Sequence, residues 1–264
     1  PYVGKKYGEI WGYKVDGLFR NDKEAAEYAS RIDLSTVASG YYTATGAYGK
    51  GVRGGDIKYL DLNGDNIVNG GKGTLDDPGD RRVIGNSSPR YQYGASLNFS
   101  WYGFDVSVFM QGIGRLDWYP GADNLRFWGP YSRPYATFIP KNFMSQVWSE
   151  SNPDAYLPRA RAYTSLNSTQ GTAYYTNDRY LQNIRYLRLK NLTVGYTIPV
   201  SLTKKAGIDQ IRIYFSGENL CYWSPLKKNS KYVDPEAAIN RSGVNNNAYY
   251  PWAKTFMFGI DITF

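Results

Sequence analysis

The stretch "DLNGDNIVNGGKGTLDDPGD", from Asp61 to Asp80, holds the residues of this chain best suited to bind an ion. Asp61, Asn63 and Asp65 stand at positions one, three and five, a spacing by which a looped backbone turns three side-chain oxygens toward one hard cation. The backbone carbonyl of Ile67 and the carboxylate of Asp80 complete the predicted ligand set. We expect one Ca²⁺ or Mg²⁺ here, with Ca²⁺ preferred because it accepts about six to eight mixed oxygen ligands.

The loop departs from an EF-hand at two positions. Asn66 stands at position six, where the EF-hand has glycine, and Lys72 stands at position twelve, where it has a bidentate glutamate. No helical pattern flanks the loop. An Asx-rich turn that needs no ion therefore remains the alternative to a calcium loop.

The composition removes a member from most hydrolase mechanisms. The chain has no histidine, which removes Ser-His-Asp and Cys-His nucleophiles and His-ligated zinc. Its single cysteine, Cys221, cannot form an internal disulfide. The net charge is +8, but Lys and Arg are dispersed without a nucleic-acid motif, so no nucleic-acid partner is expected. A glycosidase with a carboxylate pair is the remaining enzymatic alternative, and no spacing singles out such a pair. We expect no enzyme.

Alternation of apolar and polar residues predicts β-strands around this loop, because side chains in a strand point to opposite faces in turn. About six segments have this pattern. They are "YGEIWGYKV", "RYQYGASLNFSWY", "GFDVSVFMQG", "YLRLKNLTVGYTIP", "QIRIYFSGENL" and "TFMFGIDITF". In the fourth segment the alternation changes phase, which predicts a β-bulge near Lys190 and Asn191. In the last segment one face carries only apolar residues, namely Phe256, Phe258, Ile260, Ile262 and Phe264.

The predicted connections are short and long in strict alternation. Short ones lie at Tyr102-Gly103 and at residues 200–207, and long ones span residues 16–89, 114–184 and 221–253. Short turns on one rim and long loops on the other are the layout of a bacterial outer-membrane barrel. The aromatic content of 17% favours a boundary between apolar and wet surroundings. A soluble β-sandwich remains the alternative, since it also has alternating strands.

The predicted loop 114–184 concentrates aromatic residues in a stretch punctuated by Pro and Gly. These residues are Trp118, Tyr119, Trp128, Tyr131 and Tyr135. Tyr and Trp offer large contact areas with little rotamer entropy to lose, so the loop is predicted to contact cargo or a partner protein. One alternative is that the loop packs its aromatics on itself. Another is a soluble, calcium-stabilised module in which these rings stack on glycans.

Several of these motifs resemble, in order, the C-terminal part of SusC/RagA-type TonB-linked outer-membrane proteins. They are "GDIKYLDLNGDNIVN", "DRRVIGNSSPRYQYGASLNFSWYGFDVSVFMQG", "YLRLKNLTVGYTIP", "IRIYFSGENL" and "FGIDITF", and they span nearly the whole chain from Gly55 onward. The segment "GGKGTLDDPG" before Asp80 departs from the family pattern.

The resemblance implies an all-β fold: a transmembrane antiparallel β-barrel of about 22 strands in the bacterial outer membrane. Residues 1–264 would be the C-terminal part of that barrel, with the plug domain and remaining strands outside this chain. Such a transporter imports glycans or oligopeptides with energy from TonB, which acts through the N-terminal region, and no covalent chemistry is implied.

The resemblance also implies partners for the surfaces of the chain. A SusD-like surface lipoprotein would cover the long extracellular loops. The apolar strand faces would contact outer-membrane lipid, and Phe264 would be the terminal aromatic that the assembly machinery reads.

Overall fold

The computed structural model describes residues 4–43, 51–133, 135, 137, 139–161, 166, 171–239 and 252–264. These residues form two compact units. The described residues from 4 to 88 and from 117 to 182 make one, which we call the loop unit. Those from 89 to 116, from 183 to 239 and from 252 to 264 make the other, which we call the sheet unit.

The sheet unit is built on five antiparallel strands in the order β11-β10-β9-β6-β5. They are β5 (Arg90–Trp101), β6 (Phe104–Arg115), β9 (Tyr186–Thr197), β10 (Gln210–Trp223) and β11 (Thr255–Thr263). Five of the predicted strands are thus confirmed, and they occupy one sheet.

The predicted tight turn between β5 and β6 is present. Tyr102 and Gly103 both have positive φ, at 44° and 85°, as the two-residue turns that suit the twist of a hairpin require. The connection from β9 to β10 is also short, and it contains helix α4 (Val200–Thr203) and a 3₁₀ turn (Lys204–Ala206). Both short connections lie at the same end of the sheet, so the long connections leave from the opposite end.

The predicted bulge in β9 is confirmed. Asn191 pairs with Phe109 of β6, but the next pair is Leu189 with Met110, so Lys190 is an extra residue in the ladder. On the other side, β10 shifts register between Glu218 and Cys221 at the same height. The shift keeps Leu187 and Leu189 on the same face as Leu192 and Val194, as the sequence pattern requires.

The loop unit contains short elements joined by irregular segments. Its strands are β1 (Glu9–Tyr13), β2 (Val15–Leu18), β3 (Ile57–Tyr59), β4 (Arg81–Asn86) and β7 (Asp117–Trp118), and β8 (Gln182–Asn183) begins at its last residue. Its helices are α1 (Asp22–Ala29), α2 (Ser39–Thr43) and α3 (Leu125–Trp128). Among the described residues 3₁₀ turns lie at Gly129–Tyr131, Met144–Gln146 and Thr172–Tyr174, and in the sheet unit at Pro225–Lys228 and Ala237–Ile239.

The sequence prediction for "YGEIWGYKV" needs correction. Its residues do form β1, but β1 pairs with β4 in a separate two-stranded sheet, not with the large sheet. Both faces of β1 are covered by the loop unit: Tyr13 is 2% exposed, and a Cβ on Gly12 would lie 2.5 Å from the Ile84 side chain. A strand packed on both faces cannot present an outward apolar surface, and alternation alone does not reveal this.

Aromatic side chains fill the core of the loop unit, and several of their hydroxyl groups donate to backbone carbonyls. Tyr59 donates to the Thr172 carbonyl, and Tyr180 donates to the Tyr156 carbonyl at 3.1 Å. Burial raises the pKa of Tyr59 and Tyr180 far above the ordinary value of tyrosine. Both hydroxyls therefore remain neutral hydrogen-bond donors at physiological pH.

A buried ion pair joins distant segments of the loop unit. Arg161 donates to both oxygens of Asp56, at 2.9 and 2.5 Å, and both side chains are almost fully buried. The guanidinium also lies 4.0 Å from the Tyr41 ring centroid. Burial raises the pKa of Asp56 to about 6, although Arg161 and the Arg53 amide act in the opposite direction. Because the folded pKa is above the unfolded one, this carboxyl contributes less stability as pH rises from about 4 to 6.

We expect Arg161→Leu to destabilise the loop unit by about 3 to 5 kcal/mol near neutral pH, because it leaves Asp56 buried without a partner charge. The loss should be smaller near pH 4.5, where Asp56 can stay protonated. Hydrogen exchange at the Arg53 amide, which donates to Asp56 at 2.8 Å, measures the effect in the full-length protein.

Arg20→Leu is the matched control, since Arg20 forms an exposed pair with Asp154 and should contribute less than about 1 kcal/mol. Equal exchange in the two variants, or an Arg161→Leu effect that does not change with pH, would contradict the expectation.

Candidate functional site

One face of the five-stranded sheet is continuously apolar, and we call it the apolar face. Cross-strand pairing aligns its side chains row by row: Leu97 with Val108, Phe99 with Val106, and Phe215 with Phe258. Many of them are exposed, such as Phe258 at 83% and Leu97 at 66%. Exposed apolar patches larger than a few hundred Å² are rare on soluble monomers, so this face requires an apolar environment.

Aromatic residues cluster at both ends of the apolar face. At the end with the short connections, the Trp101 ring packs edge-on against the Tyr102 ring, with 5.1 Å between the centroids. The ring centroids of Phe104 and Tyr196 are 4.6 Å apart. At the opposite end stand Tyr93 and Trp223, both about half exposed. Two aromatic bands around an aliphatic and phenylalanine centre are typical of strands that cross a membrane.

The opposite face of the sheet carries polar and charged residues, and we call it the polar face. Arg212 of β10 donates to Asp105 of β6 at 3.0 and 2.7 Å and to Asp261 of β11 at 3.1 Å. To reach Asp105 the guanidinium crosses β9 over Gly195, where a Cβ would lie 2.5 Å from the Asp105 carboxylate. Glycine at 195 is therefore required by an ion pair between two strands that are not neighbours.

A second charge cluster lies near the other end of the polar face. Arg188, 2% exposed, donates to both oxygens of Asp234 at 2.5 and 2.7 Å. Lys190 donates to Glu236 at 2.8 and 3.0 Å, and the Nε of Arg188 lies 3.0 Å from the same carboxylate. The cluster fixes residues 234–236 to the sheet. No pattern in the sequence indicated it, because the partners are 46 residues apart.

The acidic loop is a compact series of Asx turns. Asp61 accepts hydrogen bonds from the amides of Gly64 and Asn66 at 2.7 and 2.9 Å, and Asp65 accepts from the Ile67 amide at 2.8 Å. Asn63 accepts from the Asp65 amide at 3.1 Å. The side chains of Asp61, Asn63 and Asp65 are thus brought together on one turn of the chain. Each of them already accepts a hydrogen bond from a backbone amide.

Asn66 explains one departure from the EF-hand pattern. It has φ of 64°, the left-handed conformation that calcium loops assign to glycine at this position, and asparagine tolerates it better than other side chains. Lys72, at position twelve, is 83% exposed and its Nζ lies 4.0 Å from Asp77.

Asp80 acts inside the loop. It is fully buried, and its two oxygens accept hydrogen bonds from the Leu62 amide at 2.7 Å and the Asn69 amide at 2.8 Å. It therefore clamps both arms of the loop. Among the described residues, no three His, Cys, Asp or Glu side chains are grouped so that they could hold a metal ion. A cation would depend on Asp61, Asn63, Asp65 and the Ile67 carbonyl, whose oxygens keep further lone pairs.

The aromatic loop residues divide between core and surface. Trp128 is 0% exposed and donates to the Pro120 carbonyl, and Tyr131 is 2% exposed and donates to Pro158. Tyr119 is half-buried, with its hydroxyl 3.0 Å from the Tyr175 carbonyl. For these three residues the self-packing alternative describes the structure. Trp118 is half-buried against Phe127, with 6.2 Å between ring centroids, and Tyr135 is 81% exposed. Of the five residues, Tyr135 offers the largest surface to a partner.

Phe264 follows β11 directly and is 84% exposed, in line with the apolar residues of that strand. No helix among the described residues has the length and hydropathy that crossing a membrane would require.

An antiparallel sheet with one exposed apolar face, one charged polar face and aromatic residues at both ends is typical of an outer-membrane β-structure. The comparisons with known proteins agree. No family model matches the chain. It is 28% identical over 217 residues to TonB-dependent receptor P26 of Formosa agariphila, covering 80% of this chain and 20% of that protein. It is 26% identical over 269 residues to TonB-dependent receptor P3 of the same organism, covering 99% and 22%.

Solved structures have the same fold. The RagAB peptide transporter matches with a TM-score of 0.55 and 19% identity, over 97% of this chain and 22% of that one. The RagAB peptide importer in its open-open state matches with a TM-score of 0.53 and 20% identity, also over 97% and 22%. The chain thus spans about a fifth of the proteins it matches. The resemblance to SusC/RagA-type TonB-dependent transporters is confirmed.

Proposed function

We propose that this chain forms part of the wall and outer loops of a TonB-dependent importer in the bacterial outer membrane. The continuous apolar face of the five-stranded sheet is the observation that carries this proposal. In a barrel, that face contacts lipid, and the polar face with Arg212 and its partners lines the wet interior. This chain matches about a fifth of the length of such transporters, and TonB would act through another region of the transporter.

The layout of connections supports an orientation. The turn at Tyr102-Gly103 and the α4 connection would lie in the periplasm, because short turns occupy that side of outer-membrane barrels. The long connections, with the acidic and aromatic loops, would then be extracellular. For cargo we propose oligopeptides or glycans: the likeness to a peptide importer supports the first, and exposed aromatic rings suit the second.

We expect Ile260→Arg to lower the stability of the inserted protein by about 2 to 4 kcal/mol, since it places a cation on the apolar face near the middle of β11. Met257→Arg is the matched control, because Met257 lies on the polar face of the same strand, opposite Ser216. Outer-membrane abundance and resistance of the folded band to heat in gel electrophoresis measure the outcome. Equal tolerance of both variants would contradict a lipid-facing role, as would recovery of the wild type without detergent.

We further propose that Tyr135 and Trp118 belong to an extracellular surface for cargo or a SusD-like lipoprotein. Tyr135 carries most of this proposal because it is 81% exposed, whereas Trp128 and Tyr131 are buried. Exposed tyrosines on outer loops are favourable contact residues.

We expect Tyr135→Asn to weaken uptake, or recovery of the lipoprotein with the transporter, by about fivefold or more. Tyr102→Asn removes an equally exposed tyrosine in the short turn between β5 and β6, and asparagine tolerates its left-handed backbone. It should leave both measurements unchanged. A Tyr135→Asn transporter with normal abundance, uptake and lipoprotein recovery would eliminate this contact surface.

For the acidic loop we propose one Ca²⁺, or Mg²⁺ in its place, held by oxygens of Asp61, Asn63 and Asp65 and by the Ile67 carbonyl, with Asp80 holding the loop from inside. A bound cation would neutralise the carboxylates of Asp61 and Asp65 and stiffen the turn. The support for this is their assembly on one turn and the left-handed Asn66.

We expect Ca²⁺ at about 1 mM, a concentration suited to extracellular sites, to slow hydrogen exchange at the Gly64 and Ile67 amides. Asp65→Asn should abolish the slowing, whereas Asp76→Asn, an exposed acid on the same loop, should not. Exchange in the wild type that ignores calcium would show that the loop is an Asx turn without an ion.

A further inference from the structure

A cavity of about 590 Å³ lies at the end of the sheet unit from which the long connections leave. Its wall includes Tyr93 of β5, Leu187 of β9 and Trp223 of β10, which all belong to the apolar face. Arg185 and Lys227 also line it, and none of its lining residues is acidic. An apolar wall with two cations and no anion is complementary to a negatively charged amphiphile.

Specific packing contacts and hydrogen bonds hold the wall of this cavity in place. The Tyr93 ring lies over Gly112, where a Cβ would come within 2.8 Å of the ring, and its hydroxyl donates to the Tyr186 carbonyl at 3.3 Å. Lys227 donates to the Tyr222 carbonyl at 2.5 Å, and its ammonium lies 3.9 Å from the Tyr222 ring centroid. Glycine at 112 and the lysine anchor therefore set the shape and charge of the cavity.

The height of the cavity fits the boundary of a membrane. Tyr93 lies eight residues before Trp101, which marks the aromatic band at the short-turn end. Eight residues span about 26 Å along a strand, or about 20 Å across the membrane at a tilt of about 40°. The cavity thus lies near the opposite border of an apolar band about 25 Å tall, where lipid headgroups begin.

We propose that this cavity binds a phosphorylated lipid of the outer leaflet, with the phosphate between Arg185 and Lys227 and the acyl chains along the apolar face. The inference rests on the proposed location of the sheet in the outer membrane. Arg185 is exposed and supplies a planar fork of donors suited to phosphate oxygens, while Lys227 supplies a point charge. Trp223, 54% exposed, supplies the amphipathic ring that favours this depth.

The test uses the full-length protein, purified in detergent, with a phosphorylated lipid A and its dephosphorylated form as probes. Native mass spectrometry measures how much of each lipid stays bound. We expect the double variant R185Q/K227Q to bind the phosphorylated lipid at least about tenfold more weakly than the wild type, and both proteins to bind the dephosphorylated lipid equally weakly.

The control variant is K204Q/K205Q, which removes two exposed lysines at the other end of the same sheet and should bind like the wild type. Equal binding of the phosphorylated lipid by all three proteins, each recovered folded from the outer membrane, would overturn this inference and leave the proposed function intact. Competition by inorganic phosphate as strong as that by the lipid would overturn it too, since it would identify a free-anion site. A protein that is soluble without detergent would overturn both proposals.

Discussion

The sheet unit depends on one constraint: five strands must keep their alternation in phase from edge to edge. A slip of one residue in any strand would exchange its two faces. At Lys190 the alternation of β9 changes phase by one residue. The neighbouring strand β10 shifts its register between Glu218 and Cys221 at the same height, so the pairing of the two strands continues in phase. The extra residues are absorbed as a bulge, so that Leu187 stays on the apolar face and Arg188 on the polar face. Without it, the aliphatic band would be broken by a guanidinium.

The same alternation of the two faces determines where charged side chains can lie on the sheet. On the polar face, Arg212 reaches across β9 to Asp105 only because Gly195 leaves the path open, and it also holds Asp261 on its other side. These ion pairs therefore connect β6, β10 and β11, although β6 and β10 are not adjacent in the sheet. On the apolar face the glycine at 112 has the opposite use, since the Tyr93 ring covers it and shapes the cavity at the membrane border.

The strands of the sheet could be predicted from the sequence because period-two alternation is a local property, and so could the turn at Tyr102-Gly103 and the bulge at Lys190. β1 has the same local pattern, yet it lies in the loop unit, since alternation does not tell what covers a face. The acidic turn was recognisable from its spacing, but the clamp formed by Asp80 depends on the fold of the whole loop. The Arg161 pair with Asp56 was out of reach, because 105 residues separate the two side chains.

The tyrosine content has two physical causes, only one of which the sequence suggested. At the ends of the sheet, aromatic rings suit the boundary between apolar and wet surroundings. In the loop unit, long irregular segments leave backbone carbonyls without a ladder partner, and buried carbonyls need donors. Tyr59, Tyr131 and Tyr180 supply them while filling the core, as Arg179 does for Ala155. A leucine in place of Tyr59 or Tyr131 would fill similar space without donating to the Thr172 or the Pro158 carbonyl. The loop unit can therefore be irregular and still pair buried carbonyls, because several of its core aromatic side chains carry hydroxyl groups.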